Sequence, residues 1–321
     1  MEKKLEYTVT REDVPGNIND ILKKRLGLSG HQISSAKYRR GGISRNGSRA
    51  RVSEAVSPGD RIEVLLEEAG TVSERLEAVP GPVEILYEDP DLAVVNKPPG
   101  LVLHPAHGHW RDTLANYMQY YYESQNLRVK IRAVGRLDRD TSGIVLFAKN
   151  QVAAARLWGR EGGTDRSEDK REDKSEDKSK GKQKDGRPVE KEYWALAEGH
   201  LEQKQGRIEL PLGKKSGALN QMEVREGGYT AVTNYRVLEE YPEMSLVSLK
   251  LETGRTHQIR VHMAALGHPL LGDRLYGGRC EKIERAALHC RSVTISQPFT
   301  GEELRIQAPL PADMKRLIGK R

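Results

Sequence analysis

Across residues 1–68 the apolar positions fall into short, punctuated runs. Asn17 or Asn19 can cap a short helix ending at Gly27, and Ser29 with Gln32 makes a capping box for a second helix reaching about Arg40, where Gly41 and Gly42 stop it. Asn46-Gly47 predicts a type I′ hairpin turn. Val52, Val56 and the turn Pro58-Gly59-Asp60 then lead into a strand alternating through Ile62 and Val64. Residues 69–82 carry little apolar periodicity and end in Pro80-Gly81-Pro82, the signature of an interdomain linker. Beyond it, Val83 to Gly100 reads as a hairpin turning at Asp89-Pro90-Asp91 and stopped by Pro98-Pro99-Gly100. Helices are predicted over Thr113 to Glu123 and Gln151 to Trp158, and strands over Ile144 to Ala148, Glu192 to Ala197, Tyr229 to Leu238 and Ser245 to Leu251. Strands outnumber helices and do not alternate with them, so the large domain, residues 83–321, is expected to be α+β around a mixed, largely antiparallel sheet.

Charge changes this picture in two places. The chain has 321 residues, 31% of them Asp, Glu, Lys or Arg, with a net charge of +7. Residues 160–192 include the near-repeats RSEDK, REDK and SEDK, in which acids and bases balance. Such a segment cannot bury enough apolar area to offset its ordering entropy, so residues 159–188 read as a solvated insertion. The basic excess lies elsewhere. Lys37, Arg39, Arg40, Arg45, Arg49 and Arg51 follow one another with no intervening acid, the electrostatic footprint of a polyanion partner. No leader or membrane-length apolar run is visible in the sequence, and Cys280 and Cys290 lack the spacing of a disulfide framework or metal site. A cytoplasmic protein without metal or nucleotide cofactor is expected, since GxGxxG and Walker loops are missing too.

Candidate chemistry concentrates in AVGRLDRDTSGIVLFAKN, Ala133 to Asn150. Asp138 and Asp140 stand beside Arg136 and Arg139 at the start of an apolar strand. A carboxylate next to guanidinium groups stays ionised and can serve as nucleophile or base. The same spacing is compatible with a turn that merely pins a loop, or with a glycosidase pair. His257, His262 and His268 fit no ligand spacing and read as structural, and Cys290 reads as a packed thiol.

Five stretches in order bear on this choice: NKPPGLVLHP from Asn96, GRLDRDTSG from Gly135, KEYWALAEG from Lys191, LETGRTHQIRVHMAALGHPLLGD from Leu251 and ALHCRSVTISQPFTGEELRIQAPLPADM from Ala287. Together they resemble the RluA/RluD-type pseudouridine synthases. LGLS from Leu26, GGISRNG from Gly41 and VSPGDRIEV from Val56 resemble the S-four-like (αL) RNA-binding domain, here residues 1–68, although Asn17-Ile18-Asn19 stands where that family usually has Arg-Leu-Asp. The resemblance implies an RNA isomerase needing no cofactor and acting on RNA, with large-subunit ribosomal RNA expected and transfer RNA as the alternative, by a monomeric chain. It implies that Asp138 is the catalytic aspartate and Arg136 the residue filling the space of a flipped uridine. It further implies that Tyr193 stacks on the base, Arg255 pairs with Asp138 and Ile259 packs under the base. Asp140 becomes a structural partner of Arg139. RNA contacts are expected from Lys37, Arg39, Arg40, Arg45 and Arg49 in the first module and from Lys97, Arg139, Lys149 and Arg260 along the cleft. The family motif commonly begins with His where this chain has Gly135, a departure expected to leave activity intact. Two competitors remain: an RNA-binding assembly factor, which the intact motifs disfavour, and a hydrolase, which needs a second, water-activating carboxylate.

Overall fold

Alternation of Ile62 and Val64 with charged neighbours makes Arg61–Glu67 a strand with one apolar face, and both side chains are fully buried. The computed structural model describes residues 2–67, 76–106, 108–157, 189–218 and 220–319. Its first module contains β1 (Glu2–Thr8), α1 (Ile18–Asp20, continuing as a wider helical turn over Ile21–Arg25), α2 (Gly30–Lys37), β2 (Ile43–Arg45), β3 (Ser48–Arg49) and β4 (Arg61–Glu67). The sheet order is β1-β4-β2-β3. Asn17 caps α1, accepting from the Asp20 amide at 3.0 Å. The Ser29 and Gln32 side chains cap each other's backbone at the start of α2. That helix ends at Lys37, earlier than predicted, and tight turns carry the chain to Gly42. Asn46 and Gly47 both have positive φ, 52° and 81°, as the type I′ turn requires. Strand β1 escapes the apolar pattern because EKKLEYT offers little beyond Leu5 to the core. Its outward face is held instead by ion pairs such as Lys4–Glu63 and Arg61–Glu6.

The large domain contains β5 (Glu84–Glu88), β6 (Leu92–Lys97), α3 (Leu114–Ser124), β7 (Ala133–Val134), β8 (Ser142–Ala148), α4 (Gln151–Leu157), β9 (Val189–Glu198), β10 (Gln205–Glu209), β11 (Leu212–Lys214), β12 (Met222–Val224), β13 (Val232–Tyr241), β14 (Met244–Leu251), α5 (Gln258–Ala265), β15 (Leu288–Ser296), β16 (Glu303–Gln307) and α6 (Ala312–Ile318). The main sheet runs β10-β13-β14-β9-β15-β8-β6-β5, with β16 added to β15 and β7 to β8. All its pairings are antiparallel except β15 with β8, so the fold is the expected α+β type. Every residue of β8 is buried, and Ile144, Leu146 and Phe147 share one apolar cluster with Leu114, Met118 and Tyr122 of α3. Part of the predicted linker, residues 76–82, is described. Asn116 in α3 binds the Glu77 carbonyl and the Val79 amide, so residues 77–79 are laid on the helix. Residues 69–75 and the insertion 159–188 lie outside the described residues.

The two modules meet at α4. Val152 enters the apolar cluster of the first module. Arg156 donates to the Leu26 carbonyl and to the Pro298 carbonyl, each at 2.6 Å, and stacks on Phe299 with its guanidinium 4.8 Å from the ring centre. One side chain thus satisfies carbonyls from both sides of the interface. Arg156→Ala is expected to cost about 1.5–3 kcal/mol, the range for hydrogen bonds to a charged group. Chemical denaturation measures that loss, and hydrogen exchange at residues 26–28 should accelerate in the variant. Unchanged exchange there would show that the clasp does not hold the module.

Candidate active site

The turn bearing Asp138 is fixed through its backbone. Thr141 N–H donates to the Asp138 carbonyl at 3.2 Å, and the following carbonyls are held from beneath. Lys97, at the end of β6, donates from Nζ to the carbonyls of Arg139, Leu101 and Pro98 at 2.8–2.9 Å. Arg285 donates to the Asp140 carbonyl at 3.1 Å while its other face forms a two-pronged pair with Asp313. Leu137 is buried and anchors the turn from inside, whereas Arg136 and Arg139 are exposed. Arg139 pairs with Asp140 at 3.0 Å, the structural role expected for that second carboxylate.

Strand register sets what faces this turn. Across the sheet Tyr193 of β9 is opposite Cys290 of β15, and Cys290 is opposite Gly143 of β8. Gly143 has φ 103°, and a Cβ there would lie 2.2 Å from the Cys290 carbonyl oxygen, so only glycine permits this approach. Five residues upstream of that contact is Asp138. Tyr193 is buried, and burial, then the neighbouring Cys290 thiol and the charge of Asp138, push its phenol well above the ordinary tyrosine range. Leu137, Tyr193, Ile259 and Cys290 belong to one apolar cluster, and Cys290 is fully enclosed, the packed thiol expected. Lys191 is placed beside Gly135: its Nζ is 3.2 Å from where a Cβ on that glycine would stand. With φ 79° at this position, a histidine would require both a left-handed backbone and displacement of the lysine.

The third side of the site comes from the turn between β14 and α5. Buried Gln258 accepts from the Arg255 amide and the Thr253 hydroxyl and donates to the Val232 carbonyl, locking the turn. His257 has φ 55° and places Nε2 3.9 Å from Asp138 Oδ2. Sequence spacing made His257 structural; the structure puts it at the aspartate, a placement that depends on the turn and has no signature in histidine spacing. His262 and His268 do have structural partners, the Thr233 hydroxyl and Leu210 carbonyl for one and the Glu198 carbonyl for the other. Arg255 departs from expectation in the opposite sense. His257 Nε2 faces the Asp138 carboxylate at 3.9 Å, while Arg255 donates to the Thr230 carbonyl and lies over Tyr229 at 5.3 Å.

Several expected RNA contacts are internal instead. Lys97 is fully buried, and burial pushes its amine down to about 7, opposed by the charges of Asp140 and Asp138. Three carbonyl acceptors use all three ammonium protons, so geometry favours the charged form that burial disfavours. Lys149 is buried against Glu88 and the Asp89 carbonyl. Arg260 is buried in a two-pronged pair with Asp273. In the first module Arg45 is occupied by Asp60 at 2.7 Å, whereas Lys37, Arg40 and Arg49 are exposed and Arg39 is half-buried.

A fold with one mixed, mainly antiparallel sheet, and an aspartate turn locked between a buried tyrosine and an Arg-Thr-His-Gln turn, defines an enzyme class. The family model described as RNA pseudouridylate synthase matches residues 91–162 and 174–265. The chain is 40% identical over 82% of its length to the "Uncharacterized RNA pseudouridine synthase YhcT" of Bacillus subtilis (strain 168), covering 79% of that protein. It is 36% identical over 83% of its length to the "Ribosomal large subunit pseudouridine synthase D" of Haemophilus influenzae, covering 78% of it. Among solved structures, "Human RNA Pseudouridylate Synthase Domain Containing 1" superposes with TM-score 0.55 at 27% identity, over 75% of this chain and 96% of that one. The chain belongs to the RNA pseudouridine synthase family. Within it, the protein is of the RluA/RluD type, an RNA isomerase.

Lys97→Met removes a buried donor to three backbone carbonyls and is expected to destabilise the fold by about 3 kcal/mol. Urea denaturation reads this directly. An unchanged midpoint combined with weakened RNA binding would return Lys97 to the RNA-contact group.

Proposed function

We propose that this chain converts uridines of large-subunit ribosomal RNA to pseudouridine, with Asp138 as the catalytic carboxylate. The observation that carries this reading is the placement of Asp138 on a turn whose next two carbonyls are clamped, within electrostatic reach of buried Tyr193. The bond from C1′ to N1 of uracil breaks, the base rotates, and C1′ bonds to C5. The C5 proton departs and N1 gains one, so no water or redox partner is consumed. Asp138 acts either by attack at C1′ or by assisting formation of a glycal; both need an ionised carboxylate in a fixed position. Tyr193 keeps its proton under the burial described above and so contributes an apolar ring for the base to stack on rather than a phenolate. Ile259 supports the opposite side of the slot, and exposed Arg136 fills the stack that the flipped nucleotide leaves. Asp140 pairs at the surface with its neighbour Arg139, in keeping with a structural role. The names of the large-subunit relatives support the choice of ribosomal RNA. Residues 1–68 act as an S-four-like docking domain through Lys37, Arg39, Arg40 and Arg49.

Asp138→Asn should abolish tritium release from carbon-5-labelled uridine RNA while leaving RNA affinity nearly unchanged; undiminished release would overturn the assignment. Replacing Lys37, Arg40 and Arg49 together with alanine should lower the slope of log affinity against log salt by about 2, at roughly 0.7 per phosphate contact on single strands. A slope equal to wild type would remove the first module from the RNA interface.

A further inference from the structure

His257 combines a strained backbone, a defined hydrogen-bond partner and proximity to the reacting carboxylate. Its φ of 55° lies in the left-handed region, which non-glycine residues occupy rarely and which recurs at functional sites. The turn is held there by Gln258, which binds the Arg255 amide at 3.0 Å and the Val232 carbonyl at 2.9 Å. Strain maintained by a buried side chain one residue away means that the ring position is imposed by the structure around it.

The ring's partners favour one tautomer. Tyr276 Oη accepts a hydrogen bond from the Met222 amide at 3.0 Å, and its hydroxyl is 2.8 Å from His257 Nδ1. Burial raises the Tyr276 phenol above its ordinary value, so it keeps its proton and has a hydrogen to give. With Nδ1 accepting from Tyr276, the neutral imidazole carries its hydrogen on Nε2, the nitrogen that faces Asp138 Oδ2 at 3.9 Å. The two rings meet edge to face, 5.6 Å between centres and 80° apart, which fixes the imidazole plane. Burial and the positive charge of Arg260 keep His257 below the usual histidine range, opposed by Asp138, Asp273 and Asp140.

We propose that His257 is a positioning residue for Asp138: Tyr276 sets its Nε2–H tautomer, and that neutral donor closes onto the carboxylate in the RNA complex to hold it at the sugar. The inference rests on the reading of Asp138 as the catalytic group. Hydrogen bonds at active sites are commonly long before substrate binds and shorten afterwards, as the 3.9 Å separation requires here. A neutral donor suits the chemistry: it orients the carboxylate without a permanent ion pair that would make it a weaker nucleophile. No proton is transferred from His257, so it is not an acid or base in the reaction.

The test uses the full-length protein with carbon-5-tritiated, unmodified ribosomal and transfer RNA transcripts under single-turnover conditions. His257→Ala should reduce the rate of tritium release about 10- to 100-fold, the loss of one hydrogen bond to a charged group, with RNA affinity within about twofold of wild type. His257→Gln, which keeps an N–H donor of similar reach, should recover much of that rate. Nitrogen-15 spectra of the free wild-type protein should show the Nε2–H form, and Tyr276→Phe should lose that signature and slow release. The inference is overturned by a wild-type rate in His257→Ala, by a glutamine variant as slow as alanine at equal RNA affinity, or by an Nδ1–H signature in the wild type. If His257→Ala does not fold, the spectra and Tyr276→Phe decide the matter. Asp138→Asn separates the two levels: tritium release by that variant defeats the reading of Asp138, whereas an inactive Asp138→Asn beside a fully active His257→Ala defeats the positioning role alone.

Discussion

Everything in the site depends on how two cations hold the backbone of one turn. Lys97 and Arg285 take the carbonyls of Arg139 and Asp140, and each is itself anchored, the lysine by two further carbonyls and the arginine by Asp313. A buried cation needs its charge dispersed, and backbone carbonyls supply the acceptors that hold Lys97. The side chain of Asp138 is thereby left outside the clamp, about one-third exposed, on a backbone that is not free to move. Electrostatic preorganisation of this kind is effective because the orienting groups need not rearrange during reaction.

Long-range strand pairing supplies the rest. Gly143, Cys290 and Tyr193 are far apart in the chain but lie side by side on β8, β15 and β9, and the one parallel pairing of the main sheet brings the first two together. A larger residue at 143 would separate β8 from β15 and carry the aspartate turn away from the tyrosine. The effect on chemistry would come entirely through packing, since Gly143 has no side chain to offer a substrate.

What was legible in the sequence follows from locality. Capping residues, the Asn46-Gly47 turn and the β5–β6 hairpin are decided by a few neighbours in the chain, and they were readable. So was the family, because the motifs around Asp138 and Tyr193 carry enough matched residues to identify it. Charge without context misled. Lys97, Lys149 and Arg260 have the residue type of RNA contacts, yet tertiary folding commits them to carbonyls and carboxylates. Arg255 was expected at Asp138 and is found over Tyr229. His257 read as structural because spacing tests only metal geometry, whereas its place beside Asp138 arises from a left-handed turn pinned by a residue that the sequence does not distinguish. Strand β1 was hidden by its charged face, and the grip of Arg156 on Leu26 joins positions 130 apart.

Arg156 also bears on the proposed reading of the first module. A docking module on a loose tether would sample many distances from a catalytic centre. A single guanidinium here fastens the Leu26 carbonyl to the Pro298 loop. On the proposed reading, in which Lys37, Arg40 and Arg49 hold RNA and Asp138 reacts, the fastened module would keep grip and carboxylate at a set span, as a caliper keeps its jaws.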